Sequence, residues 1–199
     1  MNKLDLLMVG VGGQGIVLAG DILADVVLAL GYDVKKTDTL GMAQRGGSVV
    51  SHIRVAPKVW SPLVKEGEAE VLLALEKLEA ARWCHFLRRD GIAIVNDYAL
   101  PPLSVSLGLH RYPSDEEIRN ILQQRTKQVY FVNGTEKAKR LGEVRAVNMF
   151  MLGFSSCLLP ADARLWESCI AQRFSAKAAE INVAAFRQGR EEGHHAGLR

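Results

Sequence analysis

The spacing of apolar residues changes repeatedly along the chain, and each change marks an element. Leu4, Leu6, Leu7, Met8 and Val9 form a short apolar run that predicts a buried strand. From Ile16 to Leu30 the pairs Leu18/Ala19, Ile22/Leu23 and Val26/Val27 recur at helical spacing, and Gly31 follows where a helix end favours a left-handed residue. Tyr32 to Thr37 reads as a short strand. Ser48 to Val55 alternates, with Val49, Ser51, Ile53 and Val55 on one face and Val50, His52 and Arg54 on the other, which predicts a half-buried strand with His52 on its polar side. Ala69 to Leu75 is a further strand and Glu76 to Arg88 a helix, after which Gly91 turns the chain into a strand from Ile92 to Asn96. Ser114 and Glu117 have capping-box spacing and open a helix carrying Ile118, Ile121 and Leu122. Val129 to Val132 is the last strand. Val147 to Leu158, Asp162 to Phe174 and Ala176 to about Gln188 follow as helices.

Strands alternating with helices predict a three-layer α/β sandwich on a mostly parallel sheet, with Ser48 to Val55 a candidate antiparallel excursion that would make the sheet mixed. The 199 residues suit one domain, taken here as residues 1–188. Gly189 to Arg199 holds glycines, charges and the pair His194-His195, and is expected to be a disordered tail rather than a metal site.

Composition narrows the function. A net charge of +3 with no dense Lys/Arg block argues against a nucleic-acid surface. The longest apolar stretch, Ile16 to Leu30, contains Asp21 and Asp25 and falls short of the roughly 20 residues of a membrane span. Asp5 interrupts any signal-peptide core, so the expectation is a cytoplasmic protein without a membrane partner. Cys84, Cys157 and Cys169 lack metal or redox spacing and read as free thiols, buried or half-buried; no metal site is expected.

Two glycine-rich segments carry the candidate chemistry. Gly10-Val11-Gly12-Gly13-Gln14-Gly15 satisfies G-x-G-x-x-G between a strand and a helix, a Rossmann-like first half in which bare amides and a helix N-terminus can meet an anion. The acidic residue that a dinucleotide site needs about 20 residues further on has one candidate, Asp38, and the segment around it runs directly into the second loop. That loop, Gly41-Met42-Ala43-Gln44-Arg45-Gly46-Gly47, sets a guanidinium among glycines, suited to a carboxylate, a phosphate or an acidic group on a partner; it could equally pair within the chain. Glycines serving only tight turns and helix packing remain an alternative for both loops. No nucleophile–base pair, paired carboxylates or phosphate-loop lysine stands out, so the reactive groups are expected on another polypeptide. The tentative ligand- or partner-facing residues are Gly12, Gly13, Gln14, Gly15, Gln44, Arg45, Gly46 and Gly47, with Arg45 the candidate cleft residue and no catalytic group assigned.

Both loops at their observed separation, the continuation Ser48-Val49-Val50-Ser51-His52-Ile53-Arg54, and the motifs Trp60-Ser61-Pro62-Leu63, Gly67 to Glu76 and Asn148 to Gly153 together resemble the gamma-type domain of the 2-oxoacid:ferredoxin oxidoreductases, of the pyruvate/ketoisovalerate type, over nearly the whole chain. Met42-Ala43-Gln44-Arg45 is similar to the small subunit of the indolepyruvate branch. The resemblance implies a complex, a heterotetramer of two large and two small subunits, that oxidatively decarboxylates an aryl 2-oxoacid with coenzyme A and passes electrons to ferredoxin. Thiamine diphosphate and the [4Fe-4S] clusters then belong to the large partner subunit, with no cofactor bound by this chain alone and with this chain inactive alone. The alternatives are the equivalent subunit for pyruvate, 2-oxoglutarate or a branched-chain 2-oxoacid, or a stand-alone Rossmann-like nucleotide-binding module.

Overall fold

The computed structural model describes residues 3–40 and 46–198. Among these residues the strands are β1 (Leu4–Val11), β2 (Asp33–Leu40), β3 (Ser48–Ala56), β4 (Ala69–Ala74), β5 (Leu87–Asn96) and β6 (Gln128–Val132). The helices are α1 (Ile16–Ala29), α2 (Lys77–Trp83), α3 (Leu103–Ser106), α4 (Asp115–Arg125), α5 (Gly134–Arg140), α6 (Val147–Ser155), α7 (Ala163–Gln172) and α8 (Ala176–His195). The strands form one mixed sheet in the order β2-β3-β1-β4-β5-β6. β1, β4, β5 and β6 run parallel, while β3 is antiparallel to both β1 and β2, so the expected antiparallel excursion lies inside the sheet.

Every residue of β1 is buried because the strand is central and covered on both faces. Its alternation divides the core: Leu6 and Met8 face the layer of α1, α6, α7 and α8, and Leu7 and Val9 face the layer of α2 and α4. This is the expected three-layer α/β sandwich.

The burial of one strand and the bounds of several elements differ from the sequence reading. β3 is interior, with Val49, Val50, Ser51, His52, Ile53 and Val55 all buried, because strands flank it on both edges. His52 is therefore no surface histidine: its Nδ1 accepts the Val64 backbone N–H at 3.3 Å, its ring meets Phe86 edge-on, and burial pushes its pKa down. The helix expected to reach Arg88 stops at Trp83, and β5 begins at Leu87, with a register irregularity opposite Ala69 and Val71.

The largest correction is the expected tail. α8 continues to His195, and its Gly189 and Gly193 are buried against α6. A Cβ on Gly189 would lie 1.9 Å from the Phe150 carbonyl oxygen, one on Gly193 2.5 Å from that of Phe154, and one on Gly153 of α6 2.1 Å from that of Phe186. The two backbones touch through these glycines, and Ala185, Gly189 and Gly193 form one small-residue face at four-residue spacing. Composition suggested disorder there; packing supplies the order.

Candidate functional site

The first glycine loop closes on itself before it meets anything else. At the end of β1, the Val11 N–H donates to Gln14 Oε1 at 2.7 Å and the Gln14 N–H donates to the Val11 carbonyl at 3.1 Å. The Gln14 amide also donates to the Leu75 carbonyl at 3.0 Å, fixing the loop to the end of β4. Gly13 has φ +103° and Gly15, which precedes α1, has φ +77°, conformations that suit glycine alone. Gly15 is also crowded: a Cβ there would sit 2.3 Å from Asn148 Nδ2, the group that donates to the Gly15 carbonyl at 3.2 Å. Gly10 is equally confined, by Gln14 and Ile16.

The described end of the second loop joins the first directly. The Gly12 N–H donates to the Gly47 carbonyl at 2.8 Å, and the Gly46 N–H donates back to the Gly12 carbonyl at 3.4 Å. Gln44 and Arg45, together with Gly41 to Ala43, lie outside the described residues. Immediately after the loop, the Ser48 hydroxyl donates to the Glu79 carboxylate, and the Trp83 indole N–H donates to Ser48 Oγ and Glu79 Oε2, each at 3.2 Å. Glu79 is buried, so these donors, with Arg82 Nε at 3.1 Å, are what keep its carboxylate solvated by protein groups. The base of the second loop is thereby clamped to α2.

A cleft of about 490 Å³ opens beside the first loop, between Gly13 to Gly15 on one side and the start of α8 on the other. Leu18, Phe174 and Ile181 give it apolar walls, and Arg145 and Lys177 stand at its polar margin. Arg145 is committed to Glu143, whose carboxylate takes its guanidinium at 2.7 Å and its backbone N–H at 3.0 Å; that guanidinium first, then the N–H, holds the Glu143 carboxyl down at about 2. Glu143 is thus ionised at neutral pH and is no proton donor. Lys177 forms no ion pair with any described residue. Amides, an ammonium and apolar walls equip the cleft to hold an anion with an apolar portion, not to transform it.

The dinucleotide alternative meets a topological obstacle. β3 separates β2 from β1, so the tip of β2 lies two strand spacings, about 10 Å, from the first loop's strand instead of one. Asp38 is also engaged: it takes Lys36 Nζ at 2.7 Å and the Ser51 hydroxyl, and Lys36 reaches on to Asp21 of α1 at 2.7 Å. The side chain that a ribose would need is occupied in joining β2 to its neighbours.

Among the sequence-predicted site residues, Gly12 to Gly15 and Gly46 to Gly47 come together on one rim. Asn148, Arg145, Lys177, Ser48 and Glu79 complete that region and were not singled out as site residues. Asn148 and Ser48 carried a signal, each as part of a family motif. Among the described residues no cluster of three or more His, Cys, Asp or Glu side chains is placed to hold a metal, and no helix is long and apolar enough to cross a membrane.

The comparisons with known proteins agree with this fold. Residues 5–192 match the model of the pyruvate ferredoxin/flavodoxin oxidoreductase family. The chain belongs to that family. It is 36% identical over 189 residues to indolepyruvate oxidoreductase subunit IorB of Archaeoglobus fulgidus, covering 94% of each chain. To the subunit of the same name from Pyrococcus horikoshii it is 34% identical over 192 residues, covering 95% of each. The keto/oxoacid ferredoxin oxidoreductase gamma subunit of Geobacter sulfurreducens shares the fold, with a TM-score of 0.70 and 22% identity over 96% of this chain and 99% of that one. The chain is a small subunit of a 2-oxoacid:ferredoxin oxidoreductase, an oxidoreductase built from several subunits.

Proposed function

We propose that this chain is the small subunit of an indolepyruvate-type (arylpyruvate):ferredoxin oxidoreductase acting in cytoplasmic amino-acid breakdown as a heterotetramer. The complex converts an aryl 2-oxoacid, coenzyme A and oxidised ferredoxin to an aryl-acetyl-CoA, carbon dioxide and reduced ferredoxin. Thiamine diphosphate on the large subunit supplies the carbanion chemistry of decarboxylation, and [4Fe-4S] clusters there carry the electrons. The thiols of this chain support that division. Cys84 packs on the α2/α4 face of the sheet and Cys157 and Cys169 on the opposite face, and burial raises the pKa of all three, an arrangement unlike a thiolate cluster site.

The observation that carries the reading is the pairing of Gly12 with Gly46 and Gly47, which makes one rim of two loops. In the complex that rim closes one side of the active-site cleft, and Arg45 and the amides of Gly13 and Gly15, the two of the first loop not already donating to the Gly47 and Val11 carbonyls, meet an anion there. The candidates are a coenzyme A phosphate, the substrate carboxylate and an acidic side chain of the large subunit.

Two measurements on the co-expressed complex test this. The kcat/KM for indolepyruvate or phenylpyruvate should exceed that for pyruvate or 2-oxoglutarate, and the reverse order would assign the subunit to another 2-oxoacid. Arg45→Ala should lower kcat/KM or complex yield by at least about tenfold, the scale of a lost charge-assisted contact, with the fold of the small subunit unchanged. Unaltered kinetics and assembly would remove Arg45 from the site.

A further inference from the structure

Between β5 and α4 the chain forms a self-contained arm whose two ends are fastened to the first turn of α2. The buried Glu76 carboxylate accepts the Leu100 N–H at 3.0 Å and the Tyr112 hydroxyl on the same oxygen, Oε1. Lys77 Nζ, the next side chain, bridges Asp97 at 3.1 Å and Asp115 at 2.6 Å, one on each side of the arm. Inside the arm, N–H groups from Val105 to His110 are bonded to carbonyls of Pro102 to Val105, closing α3 and the turn after it. The arm is an Ω-type loop with a polar clip at its base.

Its outer surface contradicts its position. Leu103 is 73% exposed, Leu107 64% and Leu109 68%, and Leu100 is exposed beside them. From Ala99 to His110 there is no Asp, Glu, Lys or Arg, in a chain where 24% of residues are charged. Backbone bonds and the clip order a surface that buries none of its large side chains. Such preorganisation lowers the entropic cost of association and has no use within the monomer.

The location of the arm bears on its occupant. A continuous run of hydrogen bonds leads from Gly12 to Gly47, from the adjoining Ser48 to Glu79, from the Glu79 N–H to Glu76 at 2.8 Å, and from Glu76 to Leu100. The arm and the glycine rim therefore share one scaffold at the carboxyl ends of β1, β4 and β5. A second exposed apolar pair, Trp60 and Leu63, sits at the opposite end of the sheet, past the β3 terminus that pairs with Leu4.

We infer that the arm from Leu100 to Leu109 is the docking surface for the large, thiamine-binding subunit, which presents an uncharged apolar surface to Leu103, Leu107 and Leu109. The inference rests on the proposed function for the identity of that partner. Docking there sets the glycine rim against the partner's cleft.

The test is co-expression of both subunits, with the small subunit tagged and the retained large subunit measured by its mass and its thiamine diphosphate content. Leu103→Glu, Leu107→Glu and Leu109→Glu together should reduce retention by at least about tenfold, the effect of disrupting an interface hot spot, while circular dichroism and the melting temperature of the isolated chain stay unchanged. The pair Trp60→Glu and Leu63→Glu should leave retention at the wild-type level. Wild-type retention by the triple variant overturns the inference and leaves the functional reading standing. An isolated wild-type chain that sediments as a dimer dissolved by the triple variant also overturns it, assigning the arm to a second copy. Failure of the wild-type chain to retain a thiamine-containing subunit overturns the functional reading and the inference with it.

Discussion

The two helical layers of this molecule are held by opposite means. On one face of the sheet α6 and α8 meet backbone to backbone: all nine residues of α6 are buried, and glycines at 153, 189 and 193 occupy the points of closest approach. On the other face α2 carries buried charge. Glu76, Lys77 and Glu79 sit within its first turn or just before it, and each is satisfied by a segment distant in sequence: the arm, Asp115 of α4, or Ser48 beside the second glycine loop. The first layer has little freedom because close packing allows none. The second uses carboxylates and an ammonium as pins that hold loops at the sheet's carboxyl edge, where the candidate site lies. The α2 layer thus places the second glycine loop and the arm, while the close-packed layer also walls the cleft beside the first loop, where Asn148 of α6 donates to the Gly15 carbonyl.

The sharpest way to break this contrast is Gly189→Ala. The added methyl would lie 1.9 Å from the Phe150 carbonyl oxygen, a backbone atom that cannot rotate away, so separation of α6 from α8 should cost about 3 kcal/mol, the top of the usual overpacking range, in a denaturant melt. A loss under about 1 kcal/mol would mean that the helices are not in backbone contact.

Glu76→Ala tests the polar layer. It removes the cap of α2 and leaves the Tyr112 hydroxyl and the Leu100 N–H without their acceptor, for an expected loss of about 2–3 kcal/mol. Its distinguishing mark is local: protease cleavage between Leu100 and Leu109 should accelerate in Glu76→Ala more than in Gly189→Ala at matched stability. Equal acceleration in both would show that the arm is not held by its clip.

The smallest effect is electrostatic. Glu117, in the capping box at the start of α4, is held down at about 2 by Arg111 first and by the Ser114 N–H second, against an ordinary value of 4.5. Because the folded pKa is depressed, its contribution is fully present above pH 4.5 and is lost as the pH falls towards 2. Lys77 likewise draws the Asp115 carboxyl below its ordinary range. Amide exchange at the base of the arm should therefore stay protected down to about pH 4.5 and weaken below it, while exchange in α6 should not follow that profile. A shared profile would merge the two layers into one unit.

The sequence made the first contrast hardest to see. Gly189 and Gly193 lie among charges and histidines, and local composition cannot show that Phe150 and Phe154 carbonyls wait on a helix about forty residues earlier. The position of β3 was hidden for a similar reason. Polar residues at 52 and 54 suggested a wet face, whereas His52 bonds the Val64 N–H and Arg54 bonds Asp5 at 2.9 Å, and on the opposite face Ser51 bonds Asp38. Long-range partners satisfy them, and a period-two pattern carries no record of partners. By contrast, the β1–loop–α1 unit, the capping box at Ser114 and the three-layer class were legible, because local steric and capping rules decide them. Of the candidate site, the loop geometry of Gly12 to Gly15 could be read directly; the placement of Glu79, Arg145 and Lys177 could not, since only folding brings them to the loops.

The most direct test of the central claim, that this chain supplies a rim and its partner the reacting groups, is ferredoxin reduction driven by an arylpyruvate and coenzyme A, measured for each purified subunit and for the two combined. The account requires activity in the combination and none with the small subunit alone. Turnover by the small subunit alone, or a large subunit as active without it as with it, would contradict the account.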